Sequence, residues 1–331
     1  MKEILQILFA HQTLNRKQAY EVIIQLSQGE YNEYELAAFM TVYLMRSITI
    51  DELQGFRDAL LELSTPADLS GYSLLDMVGT GGDGKDTFNI STLACFVVAG
   101  AGQKIAKHGN YGASSVSGSS NVMEQLGYRF SSDNAKLKTE LEEAGICFLH
   151  APLFHPALKR VSPIRKNLGV RTFFNLLGPL VNPAKPESQL IGVYSTEIGR
   201  TYAYLLQQNA QRFTVIHSID GYDEISLTDD TRILSNNGEQ ILSPEKLGKQ
   251  RVHPDALYGG DTVEKAADLF IKIIRGEGTQ AQSSVVAANA AMGLLCSGSY
   301  STYEDAWQAA LESLESGKAH AVLQQLIRLN Q

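Results

Sequence analysis

Residues 77–92 read MVGTGGDGKDTFNIST, and residues 107–127 read KHGNYGASSVSGSSNVMEQLG. Glycine, serine, threonine and asparagine crowd both stretches, and each is entered from a short apolar run. Glycine loses more backbone freedom on folding than any other residue, so such a cluster needs a local reason, either positive φ or close approach to a ligand. A strand running into GTGGDG, with a helix opening at Asn89, Ser91 and Thr92, is a candidate anion site. Glycine turns and helix N-termini leave backbone N–H groups facing a bound anion. The spacing excludes a Walker A loop, because no Gly-Lys-Ser/Thr follows. It also excludes G-x-G-x-x-G, because Gly79, Gly81 and Gly82 are followed by Asp83 and Gly84. Taken alone, Ser91 or Thr92 serves equally well as an ordinary N-cap.

The pattern around these stretches alternates. Apolar runs at 74–78, 104–106, 146–149, 190–194 and 213–217 are separated by helix-like segments at 92–99, 135–144 and 198–208. Further helical patterns follow at 262–275, 284–295, 302–316 and 319–330. Strands separated by helices predict a βαβ-rich, mainly parallel sheet. RILSNNGEQILSPEKL at 232–247 has a turn signal between β-like runs and reads as a peripheral hairpin. Upstream of about residue 64 the chain reads as a small bundle of three or four helices. Asn15 caps a helix with Ala19, Val22, Ile23 and Leu26 on one face, and Gly29 ends it. Residues 32–47 are apolar almost all round, which suits burial against other helices or another subunit. Asp51 is placed to cap the next helix, and Thr65-Pro66 breaks the pattern.

The 331 residues are 44% hydrophobic and 19% charged, with a formal net charge of −8, an ordinary balance for a globular protein. That charge argues against a nucleic-acid surface, which needs clustered Lys and Arg. Cys95, Cys147 and Cys296 are too widely spaced for a zinc site or disulfide framework and read as buried thiols. The N-terminus lacks a signal-peptide cleavage pattern and no apolar run has membrane-spanning length, so a cytoplasmic protein is expected.

Lys107, His108 and Asn110 follow an apolar strand into a Gly/Ser loop, where open α/β sheets bind ligands. Asp223-Glu224 follow the strand at 213–217 and a turn at Asp220-Gly221-Tyr222. Adjacent carboxylates there can ligate Mg²⁺ shared with substrate phosphates, although adjacent acids taken alone more often mark a solvated loop, and Ile225-Ser226-Leu227 fits an edge-strand start equally well. Arg165, in a helix expected over 155–168, and Arg171 carry planar forks suited to a carboxylate, with an intrachain ion pair as the plainer alternative.

GTGGDGKDTFNIST, KHGN, SVSGSSNVMEQLG, HPALKRVSPIRKNLGVRTFFNLLGPLVNP, DGYDEISLT, YGGD and VAANAAMGLL run in one order over nearly the whole chain. In that combination the chain resembles the anthranilate phosphoribosyltransferase family of the nucleoside phosphorylase superfamily. The resemblance implies a small N-terminal all-α domain (1–68, joined by a helix near 170–182). This would be hinged to a large α/β domain (69–331) with a mainly parallel central sheet. The active site would lie in the cleft, and the small domain would form a homodimer. By the same resemblance, Gly79, Gly82, Asp83, Thr87, Asn89, Ile90, Ser91, Thr92, Lys107, Ser115 and Ser119 would hold phosphoribosyl pyrophosphate. Ser91, Asp223 and Glu224 would serve Mg²⁺. Gly79, Asn110 and Arg165 would meet anthranilate, with His108 close by, and Lys107, His108, Asn110 and Arg165 form the catalytic group.

The implied reaction moves phosphoribosyl onto the amine of anthranilate and releases pyrophosphate, a step of tryptophan biosynthesis. The alternatives are a pyrimidine nucleoside phosphorylase-like enzyme or a non-catalytic binding relative of the same fold. Two positions depart from the family pattern. Tyr111 stands where Arg usually follows KHGN, which removes a positive charge beside a polyanion. Ser120-Asn121 replace Ala-Asp, leaving a side chain that can cap a helix but carries no charge.

Overall fold

The structure, a computed structural model, describes residues 1–112, 116–208, 211–247 and 249–331. The chain divides into two compact units, one of 1–67 with 151–185 and one of 68–150 with 186–331.

The larger unit is built on a seven-stranded sheet in the order β3-β2-β1-β4-β5-β6-β7. Its strands are β1 Leu75–Gly79, β2 Ile105–Gly109, β3 Ile146–His150, β4 Ser188–Gly192, β5 Arg212–Ser218, β6 Thr231–Ser235 and β7 Gly238–Leu242. The first five run parallel. The expected hairpin is β6–β7, antiparallel at the sheet edge. β2 runs further than the apolar run at 104–106 suggested. Lys107 and His108 are strand residues, in register with Phe148 and Leu149 of β3. Helices of this unit include α5 (Ile90–Gly100), α6 (Ser119–Gln125), α7 (Asn134–Glu143) and α10 (Thr196–Gln207). Four more follow β7, namely α11 (Val263–Ile274), α12 (Gln280–Ser297), α13 (Tyr303–Glu315) and α14 (Lys318–Arg328). α5 and α12 are apolar nearly all round because each is buried in the core against neighbouring helices and strands. All three cysteines are free and buried.

From β1 the chain moves one way to β2 and β3, then returns to lay β4 on the other side of β1. The strand order therefore reverses between β1 and β4. At such a switch point the connections leave in opposite directions and open a crevice beyond the strands' carboxyl ends.

The smaller unit holds α1 (Lys2–Phe9), α2 (Arg16–Gln28), α3 (Glu33–Met45) and α4 (Ile50–Glu62), together with α8 (Ala151–Phe154) and α9 (Ser162–Leu168). Asn15 caps α2 as expected, but Thr49 rather than Asp51 caps α4. Thr49-x-x-Glu52 forms the reciprocal pair in which each side chain takes the other's backbone N–H. The helix expected over 155–168 is broken into a 3₁₀ turn, Pro156–Lys159, and α9. Pro156 and Pro163 lack the N–H that a continuous helix requires. Likewise, 170–182 forms two short 3₁₀ turns, Phe173–Leu176 and Gly178–Leu180, rather than a helix. Phe173 from this segment closes an aromatic cluster, its ring 4.8 Å from both Tyr43 and Phe56 and 5.7 Å from Phe39.

His155 sits in this unit, 1% exposed. Burial lowers its imidazole from 6.5 to about 4, against the opposing effect of backbone groups of Val181 and Leu60. The unfolded chain therefore takes up the proton before the folded one, and stability falls with pH from about 6.5 to about 4, by roughly 3 kcal/mol in all. In chemical denaturation, His155→Gln is expected to lose less stability than the parent between neutral pH and pH ~4.5. Equal losses in the two chains contradict the assignment.

Candidate active site

The glycines of GTGGDG answer the question raised by the sequence in two ways. Gly81, Gly82 and Gly84 have φ of +64°, +73° and +74°, a region L-residues avoid. Gly79, the last residue of β1, has no such φ. A Cβ there would collide with the Asp223 carboxylate. Gly192, paired with Gly79 across β1–β4, is closed in the same way by the Asp223 backbone carbonyl. Two strand-end glycines thus make the space in which Asp223 lies, at the switch point.

Three amides of this segment are engaged with the protein itself. Gly81 N–H donates to Asp223 Oδ2 at 2.7 Å, Lys85 N–H to Asp83 Oδ1 at 3.2 Å, and Thr80 N–H to Gly192 O at 2.9 Å. The expectation of a loop presenting its amides to an anion is changed accordingly: at these three positions the loop positions carboxylates and strand ends. Ser91 contributes its backbone N–H to Glu224. Neither Ser91 nor Thr92 caps α5. The cap position is Asn89, whose side chain donates to Ser117 O at 3.0 Å instead.

Asp83, Asp223 and Glu224 each bring a carboxylate oxygen within 4.8 Å of the others. Asp223 and Glu224 are 7% and 9% exposed. Burial raises Asp223 to about 7, helped by the charge of Asp83. Burial and then the two neighbouring charges push Glu224 well above the usual carboxylate range, and burial raises Asp83. Three like charges in so small a buried volume are held ionised together only by a cation. Asp83 Oδ2 and Glu224 Oε2 are buried without a hydrogen-bond partner, so the donor set fits a hard, oxygen-seeking divalent ion.

The remaining expected residues take different positions. Lys107 is 2% exposed and donates to Met77 O at 2.6 Å, so its charge lies within the sheet, where it opposes the rise at Glu224. His108 is buried, its backbone N–H donating to Asp76 Oδ1 at 3.1 Å. Asn110 is exposed, and its carbonyl accepts from Ser120 N–H at 3.2 Å and Ser119 Oγ at 3.4 Å. Gly82 lies in the loop and Ile90 and Thr92 are buried in α5, while Thr87 bridges to Tyr258. Ser115 lies outside the described residues. Arg165 belongs to the smaller unit, on α9. It donates to Asn175 Oδ1 at 3.2 Å, its guanidinium is 5.9 Å from the centroid of the Phe174 ring, and burial lowers its pKa.

At the two positions expected to depart from the family pattern, Tyr111 turns its hydroxyl to Glu124 on α6 at 2.8 Å and meets the His150 ring in a T-shaped contact. Asn121 Oδ1 accepts from both Gly112 and Gly118 N–H at 3.0 Å.

Residue-by-residue reading gave no role to several supports. Asn289, 2% exposed on α12, accepts from Ile225 N–H at 3.0 Å and donates to Ile225 O at 2.9 Å, fixing the backbone just after Glu224. The available signal was a single amide in the apolar stretch VVAANAAMGLL. Ser218 Oγ donates to Glu224 O at 2.6 Å. The YGGD segment and Leu257 just before it hold the far side of the glycine loop, through Phe88 N–H to Leu257 O and Gly259 N–H to Asp86 O, both 2.9 Å.

Comparison with known proteins agrees with this architecture. A model described as "Glycosyl transferase family, a/b domain" matches residues 71–320, and one described as "Glycosyl transferase family, helical bundle domain" matches residues 2–64. Anthranilate phosphoribosyltransferase of Christiangramia forsetii is 55% identical over 331 residues, all of both chains. The crystal structure of anthranilate phosphoribosyltransferase from Thermus thermophilus superposes with a TM-score of 0.91 at 35% identity, covering 98% of each chain. The Saccharomyces cerevisiae enzyme in complex with PRPP and Mg superposes with a TM-score of 0.89 at 26% identity, covering 99% of this chain and 96% of that one. With such likeness over its full length, the chain belongs to the anthranilate phosphoribosyltransferase family.

Proposed function

We propose that this chain transfers the 5-phosphoribosyl group of phosphoribosyl pyrophosphate to the amine of anthranilate, giving N-(5-phosphoribosyl)anthranilate and pyrophosphate in tryptophan biosynthesis. The observation that carries this reading is the Asp83/Asp223/Glu224 cluster at the β1–β4 switch point, in a chain 55% identical throughout to a relative of that name. Asp83, Asp223 and Glu224 would hold Mg²⁺, which when bound would supply positive charge toward the departing pyrophosphate.

The chain's own residues bind and orient. The start of α5 and the Ser119 hydroxyl, at the first residue of α6, receive the phosphates, since helix N-termini and hydroxyls suit anions. Asn110 and the Arg165 fork position the acceptor, the latter through its carboxylate. The amine nitrogen attacks the anomeric carbon as the bond to pyrophosphate oxygen breaks. Those bonding electrons leave with pyrophosphate, and the resulting anilinium releases its proton to solvent. An anomeric carbon with oxocarbenium character needs no enzyme nucleophile for this step. The buried Lys107, tied to Met77 O, favours the ionised form of Glu224 rather than touching phosphate.

Anthranilate is fluorescent, and its loss is expected to require both phosphoribosyl pyrophosphate and Mg²⁺. Loss without either co-substrate or metal contradicts the reading. Asp223→Asn with Glu224→Gln is expected to lower kcat/KM on the order of a hundredfold at ordinary Mg²⁺. Unchanged kinetics remove these residues from the metal site. Arg165→Ala is expected to raise the KM for anthranilate about tenfold while the KM for phosphoribosyl pyrophosphate holds. The opposite split reverses the assignment.

The enzyme is also a homodimer through the helical unit, and it is cytoplasmic. The first reading is supported by Phe9, Tyr34, Leu44 and Met45 of α1 and α3, which are 62%, 79%, 45% and 84% exposed. The second is supported by three free buried thiols. No helix among the described residues is long and apolar enough to cross a membrane. Light scattering is expected to give the mass of two chains, falling to one in Met45→Glu. A monomeric parent contradicts the dimer.

A further inference from the structure

Lys85, the residue directly after GTGGDG, joins the two segments that carry the carboxylates. Its ammonium lies 4.6 Å from the centroid of the Tyr222 ring. Its stem crosses Gly221, where a Cβ would come 3.5 Å from Lys85 Cε and 3.9 Å from Nζ. Its backbone N–H donates to Asp83 Oδ1 at 3.2 Å. One residue therefore grips Asp83 through its main chain and the turn bearing Asp223-Glu224 through its side chain.

The far end of this grip is rigid. Tyr222 is 4% exposed and part of the apolar core, and its carbonyl accepts from Ser218 N–H at 3.1 Å. Gly221 adopts φ +101° and donates to Ser218 O at 2.8 Å, closing the turn tightly and leaving a bare surface for the lysine stem. The glycine loop is held on either side of Asp83, by Thr80 and Gly81 N–H to Gly192 and Asp223 and by Gly259 N–H to Asp86 O. Lys85 adds a hold next to Asp83 itself, between the positive-φ residues Gly82 and Gly84 and the rest of the chain. A cation over an aromatic face supplies a directional hold at modest desolvation cost.

We infer that Lys85 is a positioning residue: its cation–π clasp on Tyr222 fixes Asp83 against Asp223-Glu224 and so sets the affinity of the site for a divalent cation. The inference rests on the cation assigned to these carboxylates. It is distinct from the chemistry itself, because Lys85 acts through Asp83 and the turn rather than on the reacting atoms.

The test is Mn²⁺ binding followed by electron paramagnetic resonance with inorganic pyrophosphate present, beside Mg²⁺ activation of turnover. Lys85→Met and Tyr222→Met are each expected to weaken Mn²⁺ binding roughly tenfold, and the double variant no further than either alone. Lys85→Arg, which keeps a cation over the ring, is expected to restore binding, and kcat at saturating Mg²⁺ is expected to return in Lys85→Met. Mn²⁺ binding within twofold of the parent in Lys85→Met overturns the inference. So does weakening by Lys85→Met with normal binding in Tyr222→Met, the result of a bare charge effect. Should Tyr222→Met fail to fold, salt decides. At ~1 M KCl, where screening acts within about 3 Å, a clasp keeps the parent's advantage over Lys85→Met and a distant charge loses it. Mn²⁺ binding that depends on Lys85 in a parent that consumes no anthranilate leaves the clasp standing and removes the proposed reaction. Turnover with Mn²⁺ binding indifferent to Lys85 does the reverse.

Discussion

Mutual repulsion among three carboxylates is the constraint around which the larger unit is arranged. Asp83, Asp223 and Glu224 come from two loops far apart in sequence, and burial alone makes their ionised forms costly. The protein nevertheless brings them together at the point where strand order reverses. Gly79 and Gly192 vacate the space for Asp223, while the amides of Gly81, Lys85 and Ser91 donate to the acids. The charge of Lys107 favours the ionised form of Glu224. These arrangements lessen the repulsion without removing it, and a divalent cation would complete them.

The sheet serves this end through topology. Parallel strands deliver their carboxyl ends to one edge, and the reversal between β1 and β4 keeps that edge open. Behind it, Asn289 on a buried helix fixes the backbone after Glu224 with two hydrogen bonds. An amide there is costly to bury unless both its donor and its acceptor are used, and here both are. The helical unit is organised differently. Its centre is the ring cluster of Phe39, Tyr43, Phe56 and Phe173, beside a Glu52 that is 0% exposed. Burial pushes the Glu52 carboxyl up, but hydrogen bonds from Arg46, Thr49 and Leu14 outweigh it and hold the group below its ordinary range.

Much of the fold was legible because periodicity and punctuation agree. Asn15 and Asn32 cap where capping residues belong, and the alternation of apolar runs with helices forecasts the parallel sheet. The misreadings are local and have physical reasons. Residues 155–168 carry apolar residues at helical spacing, but Pro156 and Pro163 interrupt the hydrogen-bond ladder. Lys107 and His108 look like loop residues because they are polar, yet they are strand residues whose partners for burial, Met77 O and Asp76, come from the neighbouring strand. At the site, Asp223-Glu224 were visible as an acidic pair. What could not be read was that the Gly81 amide of GTGGDG donates to Asp223, or that Asn289 holds the backbone behind it, since both depend on contacts distant in sequence. The surroundings of Tyr111 and Asn121, two positions expected from the sequence to depart from the family pattern, are likewise visible only in three dimensions. The hydroxyl of Tyr111 ties to Glu124, and one oxygen of Asn121 gathers the amides of Gly112 and Gly118.

The central claim is that these three acids together hold the cation on which phosphoribosyl transfer depends. Anomalous diffraction from crystals grown with Mn²⁺ and phosphoribosyl pyrophosphate tests it most directly. The account predicts a manganese peak among the carboxylates of Asp83, Asp223 and Glu224, with direct oxygen ligands at about 2 Å. A manganese peak elsewhere, with these carboxylates left without metal beside a bound substrate, would contradict it.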